Sequence, residues 1–236
     1  MGHRFFGSSL TLAKDETFKV EWGGCTDEGI YNGTYNFDGK ILTLTWDSST
    51  EKVTDHNGNP REKESSEKSN DEKIKTEHLI PIRWDTRVYL IPEDQIIEFC
   101  NAVNAGVEPN LSCFSDAYMG SFYLRDSDIE KNPDGLPELP EEFQAYILAK
   151  PLRGKIISIK NTKDETIVTI NIGSKKGLKL GMRIMLGEEE PSVWSGKVNE
   201  VKGNVAKVKA SYAVEIGNIV STQYQGPKLV INCPGK

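Results

Sequence analysis

The chain has 236 residues, enough for one large or two modest domains, with 29 Lys and Arg against 35 Asp and Glu for a net charge of −6. Hydrophobic residues make up 37%, or about 46% once the 21 glycines are counted, which matches the ~45–50% of an average globular chain and excludes wholesale disorder. The acidic balance argues against a nucleic-acid backbone as the main partner, and the composition offers no polybasic stripe for an anionic membrane.

The start, Met1 to Phe6, has no apolar h-region and reads as no signal peptide. From Ser9 the pattern is antiparallel β. Ser9–Leu12 alternates, Ala13–Glu16 turns, and Thr17–Trp22 alternates again with Phe18, Val20 and Trp22 on one face. Gly33–Phe37 and Lys40–Trp46 flank Asp38-Gly39, a strong short-range hairpin signal. Residues 47–78 differ, since 15 of these 32 are charged and Val53 and Ile74 are the only aliphatics. Such a segment buries too little to offset its ordering entropy, so it is expected as a long mobile loop inserted between two strands.

Leu79–Asp85 and Arg87–Ile91 predict a second hairpin extending the same sheet. A helix is expected over about 92–105, with Pro92 in its first turn and Gly106 as its stop. Its apolar stripe is Ile96, Ile97, Cys100 and Val103, and it is expected to lie over an opening of the sheet. Gly120–Arg125 is another strand candidate, Pro133 to Pro140 punctuate a loop, and a short helix spans about 140–148 before Lys150-Pro151. The domain boundary falls there, giving units 1–150 and 151–236.

Beyond Leu152 the runs 154–160, 166–172, 183–186, 196–201, 204–210 and 218–222 predict six short strands closed into a small barrel, since closure removes exposed edges. A last run, 228–232, is free to pair with either domain. The fold class expected is therefore mainly β with minor helix: an N-terminal antiparallel meander or partial barrel, then a six-stranded C-terminal barrel. In Gly173-x-x-x-Gly177-x-x-x-Gly181, Gly173 lets the chain leave a strand, Gly177 permits a left-handed turn, and Gly181 starts a strand where a side chain would clash. No Gly-Lys-Ser/Thr opens a helix there, so a phosphate loop is not indicated.

Two resemblances follow. The piece Ser9-Leu-Thr-Leu-Ala-Lys-Asp-Glu-Thr-Phe, with Gly33-Thr-Tyr and Gly39-Lys-Ile-Leu-Thr-Leu, resembles the repeated strand pattern of lipocalin-like bacterial envelope proteins, although Glu16 replaces the usual Gly. Ile170-Asn-Ile-Gly173 through Gly181-Met182-Arg-Ile looks like the small β-barrel of the rod-shape protein MreC and flagellar assembly proteins. These resemblances imply a non-enzymatic protein of the periplasm or envelope, or a secreted one, working by scaffolding and protein contact. That location presumes an export signal ahead of residue 1, and a lipid anchor would lie only in such an extension.

No catalytic signature stands out. The histidines are His3, His56 and His78, with no His-x-x-x-His pair and no Gly-x-Ser-x-Gly elbow. Asp126, Asp128 and Glu130 offer oxygen ligands but lack the glycine and the closing Glu of a calcium loop, so they are expected as a solvated acidic loop. No metal or cofactor is expected. The four cysteines allow three fully paired connectivities; a Cys100–Cys113 bridge would close a short loop in an exported setting, whereas the plainer reading buries Cys100 in its helix. One local cluster is a candidate for ligand or partner contact: Arg83, Trp84, Arg87 and Tyr89, with Trp22, at one mouth of the sheet. The plainer alternative has the rings capping the core and the arginines paired with Asp85 and Glu93. Two other readings stand beside the scaffold: a carrier of a small apolar ligand in the N-terminal cup, and a hydrolase with a carboxylate site at no assigned position.

Overall fold

The computed structural model describes residues 7–23, 27–47, 52–55, 75–109, 122–163, 165–186, 196–210 and 213–223. The chain folds as two units, one drawn from Met1–Gln95 and Ser115–Glu138, the other from Ile96–Phe114 and Leu139–Lys236.

The first unit holds β1 (Gly7–Leu12), β2 (Thr17–Gly23), β3 (Asp27–Phe37), β4 (Leu42–Trp46), β5 (Lys52–Asp55), β6 (Thr76–Trp84), β7 (Arg87–Pro92) and β8 (Tyr123–Leu124). They pair antiparallel in the order β1-β2-β3-β4-β6-β7-β8, a nearly closed barrel-like sheet, with β5 added to β3. Turn chemistry sets the hairpins. Gly39 has φ +94, and the Asp38 carboxylate accepts the N–H groups of Lys40 and Ile41, both at 2.8 Å. Those two bonds, the one from Ile41 first, hold the Asp38 carboxyl below its usual range. The β6–β7 turn is the two residues Asp85-Thr86, with Asp85 at φ +53 as a primed turn requires of its first central residue.

One face of this sheet carries a core, and on β6 and β7 the opposite face is buried as well, at Ile82, Tyr89 and Ile91. Phe18, Val20, Leu42, Leu44 and Leu79 are each at most 4% exposed, and Leu10, Tyr31, Tyr35, Trp46, Leu90 and Tyr123 pack against them. Gly33 faces the same interior, where the Phe18 ring lies across it and leaves no room for a Cβ.

The charged segment is only partly a loop. Lys52–Asp55 pairs with Asp27–Ile30, because β3 has 11 residues and its first half outruns β4. Thr76 to His78 are already in β6. Residues 56–74 lie outside the described residues.

The second unit holds α1 (Ile96–Ala105), α2 (Glu141–Gln144), β9 (Arg153–Asn161), β10 (Thr166–Ile170), β11 (Gly196–Lys202), β12 (Val205–Ala210) and β13 (Ile219–Ser221). The sheet runs β11-β12-β10-β9-β13, and residues 182–186 close it into a ring. On one side Met185 N–H donates to Ser221 O (2.7 Å) and Ser221 N–H returns to Met185 O (3.0 Å). On the other, Ile184 N–H donates to Gly196 O (2.9 Å) and Val198 N–H to Met182 O (2.8 Å). The expected six-stranded barrel is therefore present, with register shifts in β9–β10 and β11–β12 supplying the sharp curvature. Ile156, Val168, Ile170, Ile184, Val198 and Val208 fill it. The run 228–232 lies outside the described residues.

The division differs from a single cut at 150. Both helices belong with the barrel, and α1 is tied to it: Asn101 donates to Gly181 O (3.2 Å) and accepts the Arg183 N–H (3.0 Å). α1 buries Ile96, Phe99, Cys100, Asn101, Ala102 and Ala105, whereas Ile97 and Val103 of its expected stripe are only half-buried. Its end is as expected: Gly106 has φ +73, Val107 N–H returns to Ala102 O (3.1 Å) and Gly106 N–H to Val103 O (3.0 Å), a Schellman stop. Among the described residues no helix is long and apolar enough to cross a membrane.

The three glycines of the barrel loop divide differently from expectation. Gly177 is left-handed at φ +92, as anticipated. Gly181 is also left-handed (φ +83), so its conformation and not a clash selects glycine. Gly173 is extended, and its missing Cβ admits the backbone of Lys202 to Val205.

Candidate functional site

The expected cluster separates into two places. Arg83, Trp84, Arg87 and Tyr89 all lie on the β6–β7 hairpin, near its turn. Trp22 pairs with Gly29 at the start of β3, whereas the registers Phe37↔Leu42 and Leu42↔Leu79 put Arg83 and Trp84 past its other end. Trp22 thus sits at the opposite end of the sheet. There it stacks on Tyr31 (centroids 6.4 Å apart), and Tyr31 meets Trp46 edge-on at 5.4 Å, with the Lys75 ammonium 4.9 Å over Trp46. The indole N–H groups of Trp22 and Trp46 are shut off from solvent and meet no acceptor among the described residues.

Three of the four hairpin residues hold the segment 122–138 against β6 and β7. Arg87, 3% exposed, donates through Nη1 to the Tyr89 hydroxyl (2.7 Å) and through Nη2 to Ile129 O (3.2 Å). Trp84 Nε1 donates to Gly135 O (3.1 Å), and Glu138 N–H donates to the Arg83 carbonyl (2.7 Å). The Arg83 side chain itself is exposed. Tyr89 is fully buried, as the ring-capping alternative had it. Asp85, which that alternative paired with arginine, accepts the Asp134 N–H (3.4 Å).

Asp128 is the centre of this arm and corrects the solvated-loop expectation. Its side chain is fully buried and accepts from Arg125 Nε (3.0 Å), Arg125 Nη2 (3.1 Å), the Lys131 ammonium and the backbone N–H of Val88 (3.2 Å). The last bond matters because β8 pairs only with Tyr89 and Leu90; the carboxylate takes over the ladder one residue further along β7. The Lys131 hydrogen bond, followed by those from Arg125 and Val88, holds the Asp128 carboxyl far below the usual range despite its burial. Two cations on the carboxylate leave it no lone pair for calcium. A depressed folded pKa stabilises above the unfolded pKa, and that stabilisation fades as pH falls from about 4 downward. Asp128→Asn is therefore expected to lower the denaturation midpoint at pH 7 and to flatten the acid limb of a stability-versus-pH series. An unchanged acid limb would show that the carboxylate is not what ties the arm.

Two further carboxylates are likewise matched by cations. In the second unit Glu98 bonds Arg183 Nε (2.8 Å) and Lys197 Nζ (3.1 Å), and Glu200 bonds Lys202 and Lys207, each at 2.6 Å. Glu77 is the contrast: burial pushes its carboxyl up, partly offset by Lys75 and reinforced by Asp94. It lies opposite Leu44 on the core side of the sheet. Among the described residues no three His, Cys, Asp or Glu side chains are grouped to hold a metal ion.

Cys100 is a free thiol, fully buried in α1, and burial pushes its pKa up to about 12. Cys113, its proposed disulfide partner, lies outside the described residues. The interior of the first sheet is packed by its own side chains. On its outer surface a shallow cleft of about 230 Å³ is lined by Thr11, Thr17, Lys19, Asn32, Thr34 and Asp47, with Phe18 and Gly33 beneath.

Sequence reasoning missed Asp128, Glu98, Asn101 and Arg183 as structural centres. Arg125-x-x-Asp128-x-x-Lys131 carries a local signal in its i, i+3 spacing, but Glu98 and Arg183 stand 85 positions apart and carry none. Comparison with protein-family models, with curated proteins and with solved structures finds no match for this chain.

Proposed function

We propose that the protein acts by protein contact in the bacterial envelope, as a non-catalytic two-unit β protein, and that the outer face of its C-terminal barrel is the contact surface. Ile219 on β13 stands opposite Lys155, and Ile157, the residue left unpaired by the β9–β10 register shift, follows two residues along β9. They are 42% and 46% exposed on a barrel whose interior is already filled. Apolar side chains left outward on a closed ring serve no core, and this observation carries the reading. The resemblances to lipocalin-like envelope proteins and to the MreC barrel support the same role and location.

A carrier of apolar ligands finds little support, because the N-terminal interior is occupied by Phe18, Leu44, Leu79 and the rings around them. A hydrolase finds as little, since Asp128, Glu98 and Glu200 are each held by cation partners. To test the contact role, a photo-reactive amino acid is placed at Ile157 and, as a control, at Lys160 in the native host. A discrete adduct at position 157 that vanishes with Ile219→Lys is expected. Equal labelling at the control position, or no adduct at all, would end this reading.

A further inference from the structure

The composition offers no polybasic stripe, yet the fold gathers lysines at one end of the barrel. The loop Ser174-Lys175-Lys176-Gly177-Leu178-Lys179-Leu180 is pinned at two points: Lys175 N–H donates to Gly203 O (2.9 Å), and Leu178, 1% exposed, enters the core. Between and beyond these anchors Lys175 and Lys176 are exposed, and Leu180 is 56% exposed. The Lys179 ammonium sits 6.0 Å over the Tyr146 ring. Leu148 lies beside Gly177, where a Cβ would stand 3.7 Å from it, and leads two residues on to the exposed Lys150. Lys202, at the β11–β12 turn against which Gly173 packs, adds a fifth ammonium and, among the described residues, is the one of the five with a carboxylate partner, Glu200 at 2.6 Å.

We infer that this loop is a peripheral contact for an anionic lipid surface, with Lys175 and Lys176 meeting the headgroups and Leu180 entering the acyl boundary. Unpaired ammoniums alone would suit any polyanion. The leucine held outward among them, by a loop whose other leucine is buried, is what selects a bilayer interface over an acidic peptide. The net charge of −6 does not oppose this, because at ~0.15 M salt interactions beyond about 8 Å are screened and the local patch governs the encounter. The contact is independent of the Ile157–Ile219 face, and the two can succeed or fail separately.

The test is co-sedimentation of the full chain with vesicles of phosphatidylcholine alone or mixed with phosphatidylglycerol, and a parallel titration with polyglutamate. Binding to the mixed vesicles only is expected, and it should fall steeply between about 0.1 M and 1 M salt. K175Q/K176Q should weaken it roughly 25-fold, at about five-fold per ammonium removed. L180S should weaken it roughly five-fold through lost apolar burial. Sedimentation with neither vesicle, equal sedimentation with both, binding to polyglutamate alone, or unchanged affinity of K175Q/K176Q overturns the inference. If circular dichroism shows that the lysine variant does not fold, the salt series of the unaltered chain decides: binding insensitive to salt overturns it equally.

Discussion

Replacing Gly173 with alanine is expected to destabilise the barrel by about 3 kcal/mol, at the upper end of what overpacking costs. The backbone there is extended (φ −139, ψ −166), a conformation open to any residue, so conformational strain plays no part. The cost is collision. A Cβ would stand 2.5 Å from both Lys202 O and Val205 N and would strike the Gly203 carbonyl, and all three are backbone atoms held in the β11–β12 hairpin. Gly177→Ala supplies the comparison. That position is left-handed at φ +92, with Leu148 at an ordinary contact distance, so alanine pays only the conformational term of about 1–2 kcal/mol. Denaturant unfolding of the two variants should rank Gly173→Ala as the more damaging. The reverse order would mean that the loop and the hairpin do not approach as closely as described.

Glu98→Ala is expected to cost about 3 kcal/mol, because it removes the bidentate carboxylate partner of a buried guanidinium. The Arg183 side chain is 6% exposed and that of Glu98 13%, and the pair is bidentate at 2.8 and 3.3 Å. Arg183 belongs to the segment that closes the ring, and Glu98 belongs to α1, so the loss would loosen the helix and the closure together. Lys197, half exposed, touches the same carboxylate, and its removal should cost under about 1 kcal/mol as for other exposed pairs. Replacing both buried partners by methionine should recover most of the loss, since the helix would then pack apolar against apolar. Thermal unfolding of Glu98→Met, Arg183→Met and the double variant checks the cycle; additive losses in the double variant would show that the two groups do not act as a pair.

Much of the architecture was legible in consecutive residues. The strand pairs around Asp38-Gly39 and Asp85-Thr86, the stop of α1 at Gly106 and five of the six runs of the C-terminal barrel were anticipated within a few positions, the run 183–186 forming only isolated bridges. Alternation and positive φ are properties of neighbours in the chain, and so they show in the sequence. The charged segment misled where long-range pairing overrode composition: Lys52–Asp55 looks too polar to order, yet the unpaired half of β3 offers it a ladder. The candidate cluster was half legible. Alternation placed Arg83, Trp84, Arg87 and Tyr89 on one hairpin, but register accumulated over β2, β3, β4 and β6 sent Trp22 to the far end.

By itself, then, the sequence determined a mainly β chain, its short strands, its turns and a small closed barrel. Each of these follows from the period-2 burial of adjacent residues and from glycine or aspartate at turn positions. The tertiary structure alone decided that α1 folds with the barrel, that Asp128 and Glu98 are enclosed and matched by cations, and that a cluster of lysines and an outward leucine gather at the barrel's end. These depend on which distant segments meet. A buried charge takes its meaning from partners as far as 85 positions away, and no local pattern encodes them.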